Sequence, residues 1–233
     1  MAERWPEALI FDVDGTLAET EEVHRRAFNE TFAGHGLGWR WSRADYKRLL
    51  KTTGGKERIA AHMAAIGVDP ASVDIPLLHK AKTARYTELM KAGEIALRPG
   101  VQTLIDAARQ RGLRLAIATT TSRPNVDALA EAVWGATADT LFEVIACGDE
   151  VAAKKPAPDI FRLALTRLGI CPTRAIAVED SRNGLLSARA AGLAVMVTPS
   201  AYTVDEDFTG AFLVVRDLSH LGGLDAVFAA MQA

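Results

Sequence analysis

An apolar run, Ala8-Leu9-Ile10-Phe11, leads into two carboxylates, Asp12 and Asp14, and then into the turn Gly15-Thr16. In an extended chain, residues two apart point to the same side. The pair is therefore expected to project together from the C-terminal end of a buried strand. Two anions held that close repel, and burial sharpens the conflict. A divalent cation removes it. A hard metal such as Mg²⁺ takes oxygen ligands, commonly one or two carboxylates with water and substrate phosphate. The pair would equally serve as a plain loop or helix cap, so the flanks matter: an apolar strand before, a Gly-Thr turn after.

Further groups stand at the ends of other apolar segments. Leu113–Ala118 runs into Thr119, Thr120, Thr121 and Ser122; Lys155 lies just beyond the Phe142–Cys147 run; Ala175–Val178 runs into Glu179, Asp180 and Ser181. In open parallel sheets, ligands bind at the C-terminal ends of strands. Two acidic pairs, hydroxyls and one lysine at such an edge suit phosphoryl transfer. One carboxylate attacks phosphorus, a second acid protonates the leaving oxygen and later activates water, acidic groups hold Mg²⁺, and a hydroxyl and a lysine hold the phosphoryl oxygens. Each group also has a plain structural use. The threonines suit a strand and Ser122 a helix cap, Lys155 suits a solvated loop, and Glu179-Asp180-Ser181 suits a helix N-terminus.

The elements that must position these groups alternate strand with helix, with helical stretches at about 101–111, from Pro124, 158–168 and up to Ala191, and a last strand at Leu193–Val197. That order predicts right-handed crossovers and an α/β fold: a doubly wound, Rossmann-like parallel sheet. Between Leu17 and Gly93 only helical patterns occur, at 20–35, 43–52, 56–66 and 75–92. The expected division is an α/β core domain of residues 1–17 and 97–233, with an inserted α-helical domain of residues 18–96.

The 233 residues are 49% apolar, enough for a sizeable core, and the net charge is −2. The charge balance argues against nucleic acid. No apolar run is long enough for a membrane helix, and the first residues lack a signal-like apolar stretch. Cys147 and Cys171 are too few for a disulfide framework. The expectation is a cytoplasmic monomer with a small-molecule substrate.

Asp12-Val13-Asp14-Gly15-Thr16, Thr119, Lys155 and Glu179-Asp180, in this order along essentially the whole chain, resemble the four signatures of the haloacid dehalogenase superfamily of phosphotransferases, with the helical insert as its cap. The resemblance implies Asp12 as nucleophile, Asp14 as general acid/base that also lends its backbone carbonyl to Mg²⁺, Thr119 and Lys155 as phosphoryl-holding groups, and Glu179 and Asp180 completing the metal site. Glu19–Asn29, Thr52–Ile59 and Thr119–Ser122 look more specifically like CbbY-type phosphatases of Calvin-cycle operons. Their substrate is xylulose-1,5-bisphosphate, an inhibitor of Rubisco, from which the 1-phosphate is removed. β-Phosphoglucomutase is a close relative with the same cap, but its signature usually reads DGV where this chain has Asp14-Gly15-Thr16. A sugar-phosphate mutase is the alternative activity, and a catalytically silent phosphosugar-binding regulator the alternative class. Arg123 stands where the CbbY group is expected to carry an apolar residue.

A bisphosphate has a second anionic end that the metal does not hold, so the cap is expected to supply positive charge. Lys56, after Gly54-Gly55, is the first candidate, because glycines let the backbone approach a ligand. The helix face bearing Lys80, Lys82 and Arg85 is the second. His24, one turn beyond Thr20, is expected either to steer Asp14 or to pack. Glu19 and Glu22 are candidates for sugar hydroxyls, Gly55 and Thr120 for lining the substrate site, and Trp39 and Trp41 for packing between helices.

Overall fold

The computed structural model describes residues 6–93 and 95–232. Its parallel sheet contains β1 (Ala8–Phe11), β2 (Arg114–Ala118), β3 (Val144–Ala146), β4 (Ala175–Glu179), β5 (Ala194–Val197) and β6 (Leu213–Val214), in the spatial order β3-β2-β1-β4-β5-β6. β1 is central: Phe11 pairs with Ile117 on one side and Val178 on the other. The strand order reverses at β1, and this is where an open parallel sheet leaves a crevice.

Period-two alternation sends the strand side chains to opposite faces. Leu9, Phe11, Leu115, Ile117, Ile176 and Val178 join one apolar cluster, while Ala8, Ile10, Ala116, Ala118, Ala175 and Ala177 join the other. α5 (Val101–Gln110), α6 (Arg123–Trp134) and α9 (Leu224–Gln232) cover the first face; α7 (Asp159–Leu168) and α8 (Arg182–Ala190) cover the second. The alanines on the second face let its helices approach closely. Both faces are buried, as all-parallel sheets require. The expected doubly wound α/β architecture is the observed one. β6 and α9 carry no expectation from the sequence: a two-residue edge strand is too short to show a pattern.

Between β1 and β2 lie α1 (Glu21–Gly34), α2 (Arg43–Leu49), α3 (Gly55–Ala65) and α4 (Ile75–Ala92). Their starts follow local chemistry. Ser42 and Asp45 form a capping box on α2, and Asp74 caps α4, which opens with Pro76. These helices share an apolar cluster of their own: Phe28, Phe32, Trp41, Tyr46, Ile59, Met63 and Leu78, with Trp39 packed against it. Tyr202, from the loop after β5, also belongs to it. The connections into and out of the helices pair at Ala18 and Leu97, and the buried Arg98 ties this junction to the carbonyls of Gly15, Thr198 and Pro199. No helix of the described residues is long and apolar enough to cross a membrane. Cys147 and Cys171 are free thiols, the first buried and the second exposed.

Candidate active site

Four loops at the C-terminal edge of the sheet converge beneath the inserted helices. Asp12 still belongs to the ladder, its N–H donating to Val178 O at 3.0 Å. The chain then turns, with Leu17 N–H donating to Val13 O at 2.9 Å. Gly15 makes this turn at φ +83°, and a Cβ there would collide with the Asp180 carboxylate. Asp12 Oδ1 accepts from Lys155 Nζ at 2.6 Å and Oδ2 from Thr16 Oγ1 at 3.3 Å. Lys155 Nζ also donates to Glu179 Oε1 at 2.5 Å. Lys155 follows β3 on a loop whose Lys155–Pro156 peptide is cis. Asp180 Oδ2 accepts from Thr203 Oγ1 at 3.2 Å.

Asp12, Glu179 and Asp180 bring carboxylate oxygens within 4.8 Å of one another, and all three residues are buried. Burial pushes each carboxyl up, Glu179 to about 8; Lys155 pulls Asp12 and Glu179 back, while Asp12 raises Glu179, and Asp12 and Glu179 together raise Asp180. Burial works against the Lys155 ammonium, but Asp12 and Glu179 hold it above its ordinary value. Three buried carboxylates around one lysine leave a deficit of positive charge. An all-oxygen donor set of this kind fits a hard divalent cation. Gly184 faces the same cluster, where any Cβ would strike the Glu179 carboxylate.

Asp12 and Asp14 both line the cleft, as expected, and are close enough for Asp14 to raise the Asp12 carboxyl. Asp14 sits in the turn, bridged to Ala18. Its carboxylate is held from α1, accepting from Thr20 Oγ1 at 2.5 Å and meeting His24 Nε2 at 2.9 Å. Lys82 Nζ lies 2.6 Å from His24 Nδ1. An ammonium can only donate, so Nδ1 accepts and the ring proton sits on Nε2, aimed at Asp14. Tyr86 stacks on His24 with ring centroids 4.1 Å apart, and Lys82 lies over the rings of Phe28 and Tyr86. Burial brings His24 down to about 4 and Lys82 down to about 7. Against the cost of burial, His24 and Thr20 hold Asp14 well below the usual carboxylate range.

The cleft between this edge and the inserted helices encloses about 1050 Å³, open mouth included. Thr119, Thr120, Gly55, Lys56 and Lys82 line it with Asp12, Asp14, Lys155 and Asp180. Thr119 Oγ1 accepts from Thr121 N–H at 3.2 Å. Lys56 reaches across the mouth to Asp149 at 3.0 Å, and the hydroxyl of Thr53 donates to Lys155 O. Other expectations fail. Lys80, Lys82 and Arg85 do not share a functional face: Lys82 turns inward, Lys80 is exposed, and Arg85 pairs with Glu30 and Glu88. Glu19 lies off the cleft, paired with Arg98 at 3.3 Å and accepting from Ala201 N–H. Glu22 is turned to Arg25, Arg43 and Tyr202. Ser122 occupies the N-cap position of α6 but makes no side-chain capping bond. Arg123 pairs with Asp127 and Asp139 and does not line the cleft. Glu21 and Arg58, which the sequence did not single out, do line it. Glu21 was hidden in the acidic run Glu19–Glu22; its place three residues before His24, on the same helix face, was the signal available.

Residues 6–192 match the family model of haloacid dehalogenase-like hydrolases. CbbY of Rhodobacter capsulatus is 61% identical over 212 residues, covering 91% of this chain and 93% of that protein. A mutant of CbbY from Rhodobacter sphaeroides, solved in complex with xylulose-(1,5)-bisphosphate, superposes with a TM-score of 0.92 at 56% identity, covering 95% of this chain and 98% of that one. A β-phosphoglucomutase from Clostridium difficile shares the fold at a TM-score of 0.82 and 19% identity, covering 97% of each chain. The chain thus belongs to the haloacid dehalogenase-like hydrolases, as a phosphatase-type enzyme of the CbbY branch.

Proposed function

We propose that this chain is a Mg²⁺-dependent sugar-phosphate phosphatase that removes the 1-phosphate of xylulose-1,5-bisphosphate through an aspartyl-phosphate, acting as a cytoplasmic monomer. The observation that carries the chemistry is the separation of two aspartates: Asp12 faces Lys155 and the acidic cluster, Asp14 faces Thr20 and His24. The substrate rests on the likeness to the CbbY protein that holds that bisphosphate.

Asp12, Glu179 and Asp180, with the Asp14 carbonyl that the family resemblance adds, would hold Mg²⁺. Bound there, the ion would screen the phosphoryl oxygens from the attacking carboxylate. An Asp12 oxygen forms a bond to phosphorus as the bond from phosphorus to the sugar oxygen breaks. That oxygen takes a proton from Asp14. Water then attacks the aspartyl-phosphate, its proton passes to Asp14, and the Asp12–phosphorus bond breaks to release phosphate. In the resting site Asp14 is an anion, the form needed for the second step. A phosphoryl dianion arriving beside it favours the protonated form needed for the first. Lys155 and Thr119 orient the transferring group, and Lys56 with Gly55 and Thr120 takes the rest of the substrate. Residues 18–96 act in this reading as a cap whose closure excludes water.

The test is phosphate release from xylulose-1,5-bisphosphate, ribulose-1,5-bisphosphate, xylulose-5-phosphate and β-glucose-1-phosphate, with Mg²⁺ and with EDTA. Preference for the xylulose bisphosphate, lost on chelation, is expected. Preference for a monophosphate rejects the substrate, and conversion of β-glucose-1-phosphate to glucose-6-phosphate establishes the mutase instead.

A further inference from the structure

Arg98 ends the connection that returns from the inserted helices to the sheet. It is buried, and its guanidinium donates to three backbone carbonyls, those of Gly15, Thr198 and Pro199, the last two at 2.7 Å. Nε faces the Glu19 carboxylate at 3.3 Å. Burying a charge mainly against neutral carbonyls is costly. An amide side chain offers only two donors, and an ammonium is a point charge on a flexible stem. A planar guanidinium meets three carbonyls in one fixed fork. The Arg98 N–H donates to Leu17 O at 2.8 Å beside the Ala18–Leu97 bridge, and Pro99-Gly100 lead straight into α5. The arginine is thus anchored on the core side of the junction.

The three carbonyls belong to two loops that enclose part of the acidic cluster. Gly15 makes the turn after β1; Thr198 and Pro199 follow β5. Asp180 and Ser200 pack against Gly15, where any Cβ would strike them, and Thr203 Oγ1 donates to Asp180 O at 2.7 Å. Gly15 is also gripped at both ends. Its N–H donates to Ala18 O at 2.9 Å, and its C=O accepts from Arg98. A trans peptide is planar. The Asp14 carbonyl therefore points opposite the Gly15 N–H and cannot turn without breaking the bond to Ala18. Arg98 does not line the cleft and is no member of the acidic cluster. It acts on that cluster only through the two loops it joins.

We propose that Arg98 is a positioning residue for the metal: by clamping the Gly15 turn to the loop after β5, it holds the Asp14 carbonyl and the Asp180 carboxylate in one arrangement. The inference rests on the Mg²⁺-dependent reading of the site and adds to it a residue outside the cleft that sets metal affinity. The sign of the effect is diagnostic. A mere nearby cation repels Mg²⁺, so its loss would tighten binding. Loss of a clamp weakens binding.

The experiment titrates Mg²⁺ calorimetrically into metal-free wild type, Arg98→Lys, Arg98→Gln and Glu19→Gln, beside thermal melts in EDTA. Groups that orient metal ligands are typically worth roughly 10–100-fold in metal affinity. Arg98→Lys keeps the charge but not the fork, and its Kd for Mg²⁺ is expected to rise by about tenfold. Arg98→Gln should weaken binding too, although it deletes a cation. Glu19→Gln leaves all three carbonyl bonds in place and should bind Mg²⁺ as the wild type does. The Mg²⁺ concentration for half-maximal hydrolysis of p-nitrophenyl phosphate should rise in parallel, while kcat at saturating Mg²⁺ returns close to the wild-type value. A general loss of folding would not give that split. Where Arg98→Gln does not fold, Arg98→Lys decides. Wild-type Mg²⁺ affinity in Arg98→Lys with only a lowered Tm, or tighter binding in Arg98→Gln, overturns the inference while leaving the metal-dependent phosphatase intact. An equal loss in Glu19→Gln assigns the effect to the ion pair and overturns the clamp. Absence of Mg²⁺ binding to the wild type, with turnover persisting in EDTA, overturns the metal-dependent function itself.

Discussion

Lys82 Nζ stands 2.6 Å from His24 Nδ1, deep between α1 and α4. That contact fixes the imidazole from the side opposite Asp14 and agrees with a proton on Nε2. Lys82→Met would leave Nδ1 without its donor and remove a charge that holds His24 down, so the ring could take a second proton while Nε2–H stays on Asp14. No longer fixed from its far side, the ring should then hold the Asp14 carboxylate less rigidly. Misplacement of a reacting group by an ångström costs about 10²-fold. A loss of that order in kcat on sugar phosphates is expected, with a smaller loss on p-nitrophenyl phosphate, whose leaving group needs no acid. Steady-state kinetics on both substrates check it; equal losses on both would place Lys82 elsewhere in the mechanism.

Asp14→Asn removes the proton carrier directly. General acid–base catalysis is typically worth roughly 10²–10⁴-fold. The loss should follow leaving-group basicity, steep for sugar alcohols and shallow for aryl esters. A plot of log kcat/KM against leaving-group pKa measures it, and an unchanged slope would argue against the role.

Asp12→Asn should abolish turnover yet leave a folded protein. Asp12, Glu179 and Asp180 crowd three buried acids together, so deleting one charge should raise Tm in chelated buffer. The same change should shrink the rise in Tm that Mg²⁺ gives the wild type, because a ligand stabilises only the state that binds it. Thermal melts with EDTA and with a Mg²⁺ titration check both.

Glu21 gives a pH prediction with a definite sign. Burial, helped by Asp14 and opposed by Arg58, lifts its carboxyl from 4.5 to about 7. The folded state therefore holds a proton that the unfolded chain has released. Its contribution to stability is full below 4.5 and is lost as pH rises to about 7. Glu21→Gln carries no such proton. The variant's Tm minus that of wild type should climb between these limits and then level off. A difference that stays flat with pH would show that Glu21 titrates as an ordinary acid.

Lys56 is half-exposed and tied to Asp149 across the cleft mouth. An incoming distal phosphate has to take Lys56 from Asp149. Lys56→Ala should lower the bisphosphate-to-aryl-phosphate ratio of kcat/KM by roughly tenfold. Asp149→Asn removes the competitor and should lower KM for the bisphosphate. Kinetics of the two variants separate the roles, and opposite signs are the expected result.

The parts of this site legible in the sequence were those attached to strands. Asp12, Thr119, Lys155, Glu179 and Asp180 follow apolar runs whose period announces a parallel sheet, and its topology brings their ends together without further information. The inserted segment was legible as helices but not as contacts. Whether Lys80, Lys82 or Arg85 turns inward depends on the angle at which α4 lies on α1, which no local pattern records. Glu19, Glu21 and Glu22 are the same in composition; Glu19 precedes α1 and meets Arg98, while rotation from one helical position to the next sends Glu21 to the cleft and Glu22 to Arg25. Asp14, two residues past the end of the ladder, reaches the same cleft as Asp12, but its partners Thr20 and His24 come from α1 and no strand pattern records them.

Tyr202 belongs to the loop after β5, yet its ring meets Tyr46 with centroids 5.8 Å apart and packs within the aromatic cluster of the inserted helices. Its hydroxyl donates to Glu22, and nearby Asp205 holds Lys47 at 2.5 Å. The inserted helices are therefore fastened on two sides, by their connections at Ala18 and Leu97 and by a borrowed aromatic ring. A swing wide enough to release product must either drag residues 200–206 along or unplug that ring. In the first case the loop carrying Thr203 moves with the inserted helices and pulls on Asp180, so in the proposed phosphatase, departure of product and loosening of the acidic cluster would become a single event.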